Sequence, residues 1–238
     1  VMDVFSGTGR VIAMGMAAVA RVTDTKPMHP SGVVSAAVLE RHGRATPVGV
    51  PWLDEPGSDD AVLRLSRSFG LPSVLPDVLG FALRVPGERP VDLLLSTTGS
   101  GRWSRLVFLP RHDAGSTYGS VMAFSSPAGS VRLAAWATAG LPSAPDELAV
   151  RVAGGGVEFV LAAAVGTGDA EPFARVRVTG LWAPLDPPLH FDAVRHAPPG
   201  LPAAGPIARM RVPAYAAARD ALGDPLGDGA PAGHARPR

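Results

Sequence analysis

The chain contains no cysteine. Disulfides, thiol nucleophiles, thiolate-ligated haem and iron–sulfur clusters are therefore excluded. Lysine is nearly absent as well: Lys26 stands alone among 22 basic residues, and the other 21 are arginine. Tyrosine occurs twice and aromatic residues make up only 6% of the chain. The formal net charge is +1, too small for a long-range field that would gather nucleic acid or an anionic membrane. Val11–Ala20 is apolar but too short to span a bilayer as a helix. It imitates the core of a secretion signal, and Ala18-Val-Ala20 imitates a cleavage site. Asp3 and a long, weakly basic lead-in speak against that, so a short packed helix or arm is expected over residues 1–25.

What is present suits a globular domain. Hydrophobic residues make up 46% and charged residues 18% of 238, enough to bury one substantial core. Twenty-five prolines and 28 glycines cut the chain into short apolar runs. Strands are predicted over Val33–Glu40, Ala61–Arg67, Leu79–Val85, Val91–Thr97 and Val131–Ala137. Arg105–Leu109 reads as a strand or a helix end. Glu147–Val152 and Val157–Val165 flank three glycines and read as a hairpin, followed by a strand over Ala174–Thr179. Such a series fits a closed or nearly closed antiparallel barrel better than a βαβ array. The proline-rich stretch from Ala183 to Pro206 is expected to cross the surface without regular structure. Ile207–Leu222 reads as a helix, the main one of the chain, and residues 223–238 as a flexible tail.

Several polar residues stand out. A spacing of four puts Arg211 and Tyr215 on one helical face. A phenolate that ligates haem iron needs such a cation beside it; a tyrosine packing on a core needs nothing. In Ala61–Arg67 a period of two groups Val62, Arg64 and Ser66 on one face and Ala61, Leu63, Leu65 and Arg67 on the other. Arg64 then either faces solvent or lines an interior where it needs an anionic partner. His29, in Lys26-Pro-Met-His-Pro-Ser-Gly32, precedes the first strand and can take and return a proton near neutral pH. Asp77 reads as a turn or cap residue. The remaining histidines are scattered without a metal-ligand spacing, and no P-loop, nucleophile elbow or zinc-protease motif is found.

Taken in order, these segments resemble the haem catalase core. Lys26-Pro-Met-His29-Pro-Ser-Gly32 is similar to the distal-histidine segment. Leu63-Arg-Leu-Ser66 resembles the strand whose arginine meets a haem propionate and whose serine backs that histidine. Asp77-Val-Leu-Gly-Phe-Ala-Leu83 and Asp92-Leu-Leu-Leu-Ser-Thr97 resemble the next two strands. Arg211-Val-Pro-Ala-Tyr215, followed by Arg219, is similar to the proximal helix. The resemblance runs from Lys26 to Gly223 and implies a mainly β fold, a catalase-like antiparallel β-barrel with added helices, α+β overall, over residues 26–222.

The same resemblance implies haem b, iron ligation by Tyr215, and Lys26, Arg64, Arg211 and Arg219 around the cofactor. It makes His29, Ser66 and Thr97 the catalytic residues. Two departures matter: Thr97 replaces the distal asparagine, and Lys26 replaces an arginine. A hydroxyl has less reach than an amide N–H, so a peroxidase-like oxidoreductase acting on peroxide or an organic hydroperoxide, with an organic co-substrate, is expected rather than an efficient catalase. A cytoplasmic location, no nucleic acid and no membrane span complete that reading, and a homodimer is admitted. Two other classes compete. One is a haem-free barrel holding a small apolar or amphipathic ligand. The other is a structural partner protein whose apolar N-terminal arm builds an oligomer.

Overall fold

The computed structural model describes residues 31–187 and 189–209. Strands dominate it: β1 (Ser31–Arg41), β2 (Gly57–Arg67), β3 (Leu79–Val85), β4 (Val91–Thr97), β5 (Tyr118–Gly119), β6 (Ala123–Ser126), β7 (Gly129–Ala137), β8 (Glu158–Val165), β9 (Glu171–Leu181) and β10 (Ala203–Ala204). Neighbours run in the order β7-β5-β4-β3-β2-β1-β9-β8, and β8 pairs back onto β7. Those eight strands therefore close an antiparallel barrel, with β6 and β10 added beyond β7. Closure removes the open edges that a sheet must otherwise protect.

Alternation decides what fills the barrel. Val33, Leu65, Phe81 and Leu95 form one row across β1–β4, and Leu63, Leu83 and Leu93 lie in the next. All are buried, with the inward-facing Leu133, Ala135, Phe159 and Leu161 of β7 and β8. Phe81 sits at the centre, 5.2 Å from the ring of Phe159 and 5.6 Å from that of Tyr118. Two register shifts leave an extra residue on β9, Thr179 opposite β1 and Phe173 opposite β8. Bulges of this kind bend a strand and help a sheet close. Phe173 packs instead on Trp52 of a short helix, α1 (Pro51–Asp54), at 5.5 Å.

One expected strand is a helix. Glu147–Val152 belongs to α2 (Pro145–Ala153), not to a hairpin with β8. Pro145 opens the first turn, and Asp146 and Glu147 lie where the helix dipole favours acids. Leu148, Ala149 and Val152 form one buried face, and α2 packs it on β1 and β9. Six residues of ELAVRV satisfy both a period of two and one of 3.6. The glycines after α2 are a link rather than a hairpin turn, with Gly155 and Gly156 at φ of 76° and 69°. Arg105 lies in a 3-10 turn over Ser104–Leu106. The expected arm, tail and most of the Ile207–Leu222 helix lie outside the described residues; residues 205–209 are helical.

Tyr118 ties the core to its chemistry. It is fully buried, its hydroxyl donates to the Ala114 carbonyl at 2.7 Å, and burial, aided by Asp113, pushes its ionisation far above the ordinary tyrosine range. The phenol is therefore protonated in the folded chain and free to ionise in the unfolded one. Stability from this group is complete below the ordinary value of 10.0 and declines as pH rises above it. In urea titrations from pH 7 to 11, Tyr118→Phe should cost about 1 kcal/mol at neutral pH and flatten the alkaline decline. A variant with the wild-type alkaline slope would contradict this assignment.

Candidate cofactor-binding face

The outer face of β1–β4 collects the polar residues that the barrel interior rejects. Register aligns three rows across it. The first is Gly32–Ser66–Gly80–Ser96, continuing to Gly119 of β5. The second is Val34–Arg64–Ala82–Leu94, and the third Ala36–Val62–Arg84–Asp92. Arg64 and Ser66 thus share the outer face, while Ala61, Leu63, Leu65 and Arg67 turn inward and are buried.

Arg64 does not simply face solvent. Its Nε and one terminal nitrogen grip Asp186 at 2.7 and 2.9 Å, a two-pronged pairing. Gly32 allows the guanidinium to lie where it does. A Cβ there would stand 2.8 Å from the Leu65 carbonyl oxygen and 3.0 Å from the Arg64 guanidinium carbon. Asp186 belongs to a segment without regular structure that runs back across the outer face. Leu185 accepts from Val34 N–H at 2.7 Å, and Trp182 N–H donates to the Val34 carbonyl at 3.0 Å.

Further along, Asp92 anchors the same segment. It is fully buried and accepts two 2.7 Å hydrogen bonds from Arg84. It also lies 2.9 Å from Nδ1 of the buried His196 and accepts from the Asp192 N–H at 2.8 Å. The Arg84 guanidinium stacks 5.1 Å from the Phe191 ring. Charged and aromatic groups thus hold residues 182–196 over the third and second rows.

Thr97 does not join Ser66. It lies on the opposite face of β4, fully buried, in the row of Arg67 and Leu79. Its hydroxyl donates to the Leu109 carbonyl at 2.7 Å and accepts from Leu79 N–H at 3.0 Å. The hydroxyl on the Ser66 face is that of Ser96, one residue earlier. Counting alternate residues back along Val91–Thr97 would have identified it, since Asp92, Leu94 and Ser96 share one face.

Asp77, read from sequence as a turn residue, is buried and accepts from Phe69 and Leu71 N–H at 3.2 to 3.3 Å. Arg67 Nε lies 3.7 Å from its carboxylate, beyond hydrogen-bond reach but within an ion pair. A void of about 10 Å³ beside Gly32, Ser66 and Arg67 has roughly the volume a single water centre needs.

Lys26, His29, Arg211, Tyr215 and Arg219 lie outside the described residues. Tyr118, the other tyrosine, is committed to the core as a protonated phenol. Among the described residues no group of three histidine or acidic side chains is placed to hold a metal ion, and no helix is long and apolar enough to cross a membrane.

The eight-stranded antiparallel barrel with its extra strands and helices is a catalase-like α+β fold. A fungal catalase superposes with a TM-score of 0.57 at 14% identity, over 95% of this chain and 64% of its own length. Catalase A from Saccharomyces cerevisiae gives 0.55 at 12% identity, over 91% and 64%. The chain therefore spans a little under two thirds of the length of these catalases. No family model and no curated protein sequence matches it.

The segment over the outer face should depend on Asp92. Asp92→Asn leaves Arg84 without its anion, and removing one partner of a buried pair costs about 3 kcal/mol. The denaturation midpoint should fall accordingly, and limited proteolysis should cut residues 182–196 sooner. Unchanged midpoint and cleavage would show that backbone contacts alone hold the segment.

Proposed function

We propose that the chain is a haem-dependent oxidoreductase of the peroxidase type, acting on peroxide or an organic hydroperoxide with an organic co-substrate, and not an efficient catalase. The observation that carries this reading is the first outer row. Gly32 pairs with Ser66 and, through Gly80, with Ser96, so two hydroxyls and two glycines share one row at the end of β1 that follows His29 in the sequence.

The described residues fit such a cofactor. Arg64 presents its guanidinium on the same face and already holds a carboxylate, that of Asp186, in the two-pronged geometry a propionate requires. Gly32 and Gly80 keep the adjoining floor free of side chains. Lys26, Arg64 and Arg219 would hold the propionates, and Asp186 would yield to one of them or keep Arg64 oriented. Tyr215 would ligate the iron as a phenolate, kept ionised by Arg211 four residues earlier.

Bound haem supplies the redox chemistry that splits an O–O bond and oxidises a co-substrate. In this reading His29 would accept the proton of the incoming hydroperoxide and return it to the departing oxygen. Ser66 would position the imidazole. The distal hydroxyl that meets the peroxide is Ser96 in this reading, because Thr97 is occupied on the far face. The sequence contains no asparagine or glutamine, so no side-chain amide can serve as the distal donor.

Reconstitution with haem tests each part. Tyr215→Phe should alter the ferric spectrum and lower haem retention together; an unchanged spectrum would remove Tyr215 as the ligand. His29→Ala should keep haem and slow single-turnover hydroperoxide cleavage by a factor of about 10² to 10⁴, and equal rates would dispose of its proton transfer. Ser96→Asn should raise oxygen release from hydrogen peroxide, whereas Thr97→Asn should not; the reverse order would return the distal role to Thr97.

A further inference from the structure

Farther round the barrel, a cavity of about 400 Å³ opens on the outer side of β5, β7 and β8, lined by Arg105, Gly119, Arg132, Trp136 and Asp169 among others. Alternation along β7 puts Val131, Leu133 and Ala135 into the core and Arg132, Ala134 and Trp136 outward into this space. Arg105 enters from the 3-10 turn. Its Nε donates to the Gly101 carbonyl at 3.4 Å and one terminal nitrogen to that of Gly168 at 2.8 Å.

Both guanidiniums are left incomplete. Arg105 is 9% exposed, and its other terminal nitrogen is buried without a hydrogen-bond partner among the described residues. Nε of Arg132 is in the same condition. Among the described residues no carboxylate forms an ion pair with either. Asp169 lines the cavity but is exposed and pairs with neither. Burial first, and the nearby Arg105 charge second, push the ionisation of Arg132 down. A buried guanidinium nitrogen left without a partner is costly unless an anion meets it.

The backbone beside the cavity is strained as well. Val121 has a φ of 52° and lines the cavity, inside a three-residue turn closed by Met122 N–H donating to the Ser120 carbonyl. Positive φ at a β-branched residue is rare and persists where its surroundings enforce it.

We infer that this cavity is a binding site for a small organic carboxylate, its anion held between Arg105 and Arg132 and its apolar body against Trp136. The volume falls within the range of small-molecule pockets, with room for more than one ring, and the planar forks of two arginines match a carboxylate better than a neutral amide. Neither Arg64 nor Ser66 lines the cavity, and the inference does not rest on haem being bound.

Calorimetric titration with benzoate and with benzamide, its neutral isostere, tests it. Benzoate should bind at least about tenfold more tightly, the effect of one charge-assisted hydrogen bond, and more weakly as salt is raised. Arg132→Gln, on a side chain that is only half buried, should remove that preference while the denaturation midpoint stays close to wild type. Trp136→Ala should weaken both ligands and keep the preference. Equal affinity for the two ligands, no heat from benzoate, or a preference that survives Arg132→Gln would overturn the assignment. Should Arg132→Gln fail to fold, the wild-type comparison of benzoate with benzamide decides alone.

Discussion

Closure of the barrel governs where polar chemistry can exist in this chain. Eight strands wrapped on themselves leave an interior filled by leucine, phenylalanine, valine and one phenol with a hydrogen-bond partner. Such a core does not admit an unpaired charge. Where charge does turn inward, at Arg67, it lies at the end of β2 and meets Ser143, Asp77 and the Leu75 carbonyl. Arg64, Arg84, Arg105 and Arg132 are on the outer side, where something must cover and neutralise them. The segment over residues 182–196 does so for Arg64 and Arg84 through Asp186 and Asp92. For Arg105 and Arg132 the described residues supply no such cover.

This division gives the outer face two unlike regions. Over β1–β4, small residues and hydroxyls lie beside an arginine already trained on a carboxylate; this is the region to which the proposed haem site is assigned. Over β5, β7 and β8, two arginines and a tryptophan surround open space. A row of paired residues, Ser96 to Gly119 to Ala134, links the regions.

Much of the barrel was legible from the sequence because its strands obey a simple period. β3 and β4 begin and end where their turn residues predict, and the two faces of β2 separate as alternation requires. ELAVRV misled because six residues carry too little phase to tell a strand from a helix, and the acids and proline before it were the better signal. Thr97 shows a different limit of sequence reading. A motif match tolerates a shift of one residue, but in a strand one residue is the difference between inside and outside. The proline-rich stretch after Trp182 reads as irregular, which overlooks β10 at Ala203–Ala204 and the helical turn from residue 205, and nothing in its composition shows that Asp186 and His196 dock on β2 and β4. The cavity between Arg105 and Arg132 was invisible for the same reason, since a 3-10 turn and β7, distant in sequence, bring the two side chains to one place only in the fold.

The fold is shared with catalases, but fold alone does not carry activity, so the cofactor is the central claim. Titration of the purified protein with haemin, followed by absorption in the Soret region, tests it most directly. The account predicts saturation at one haem per chain, with a shifted Soret maximum and the visible bands of a phenolate-ligated ferric iron. Spectra that remain those of free haemin throughout would contradict it.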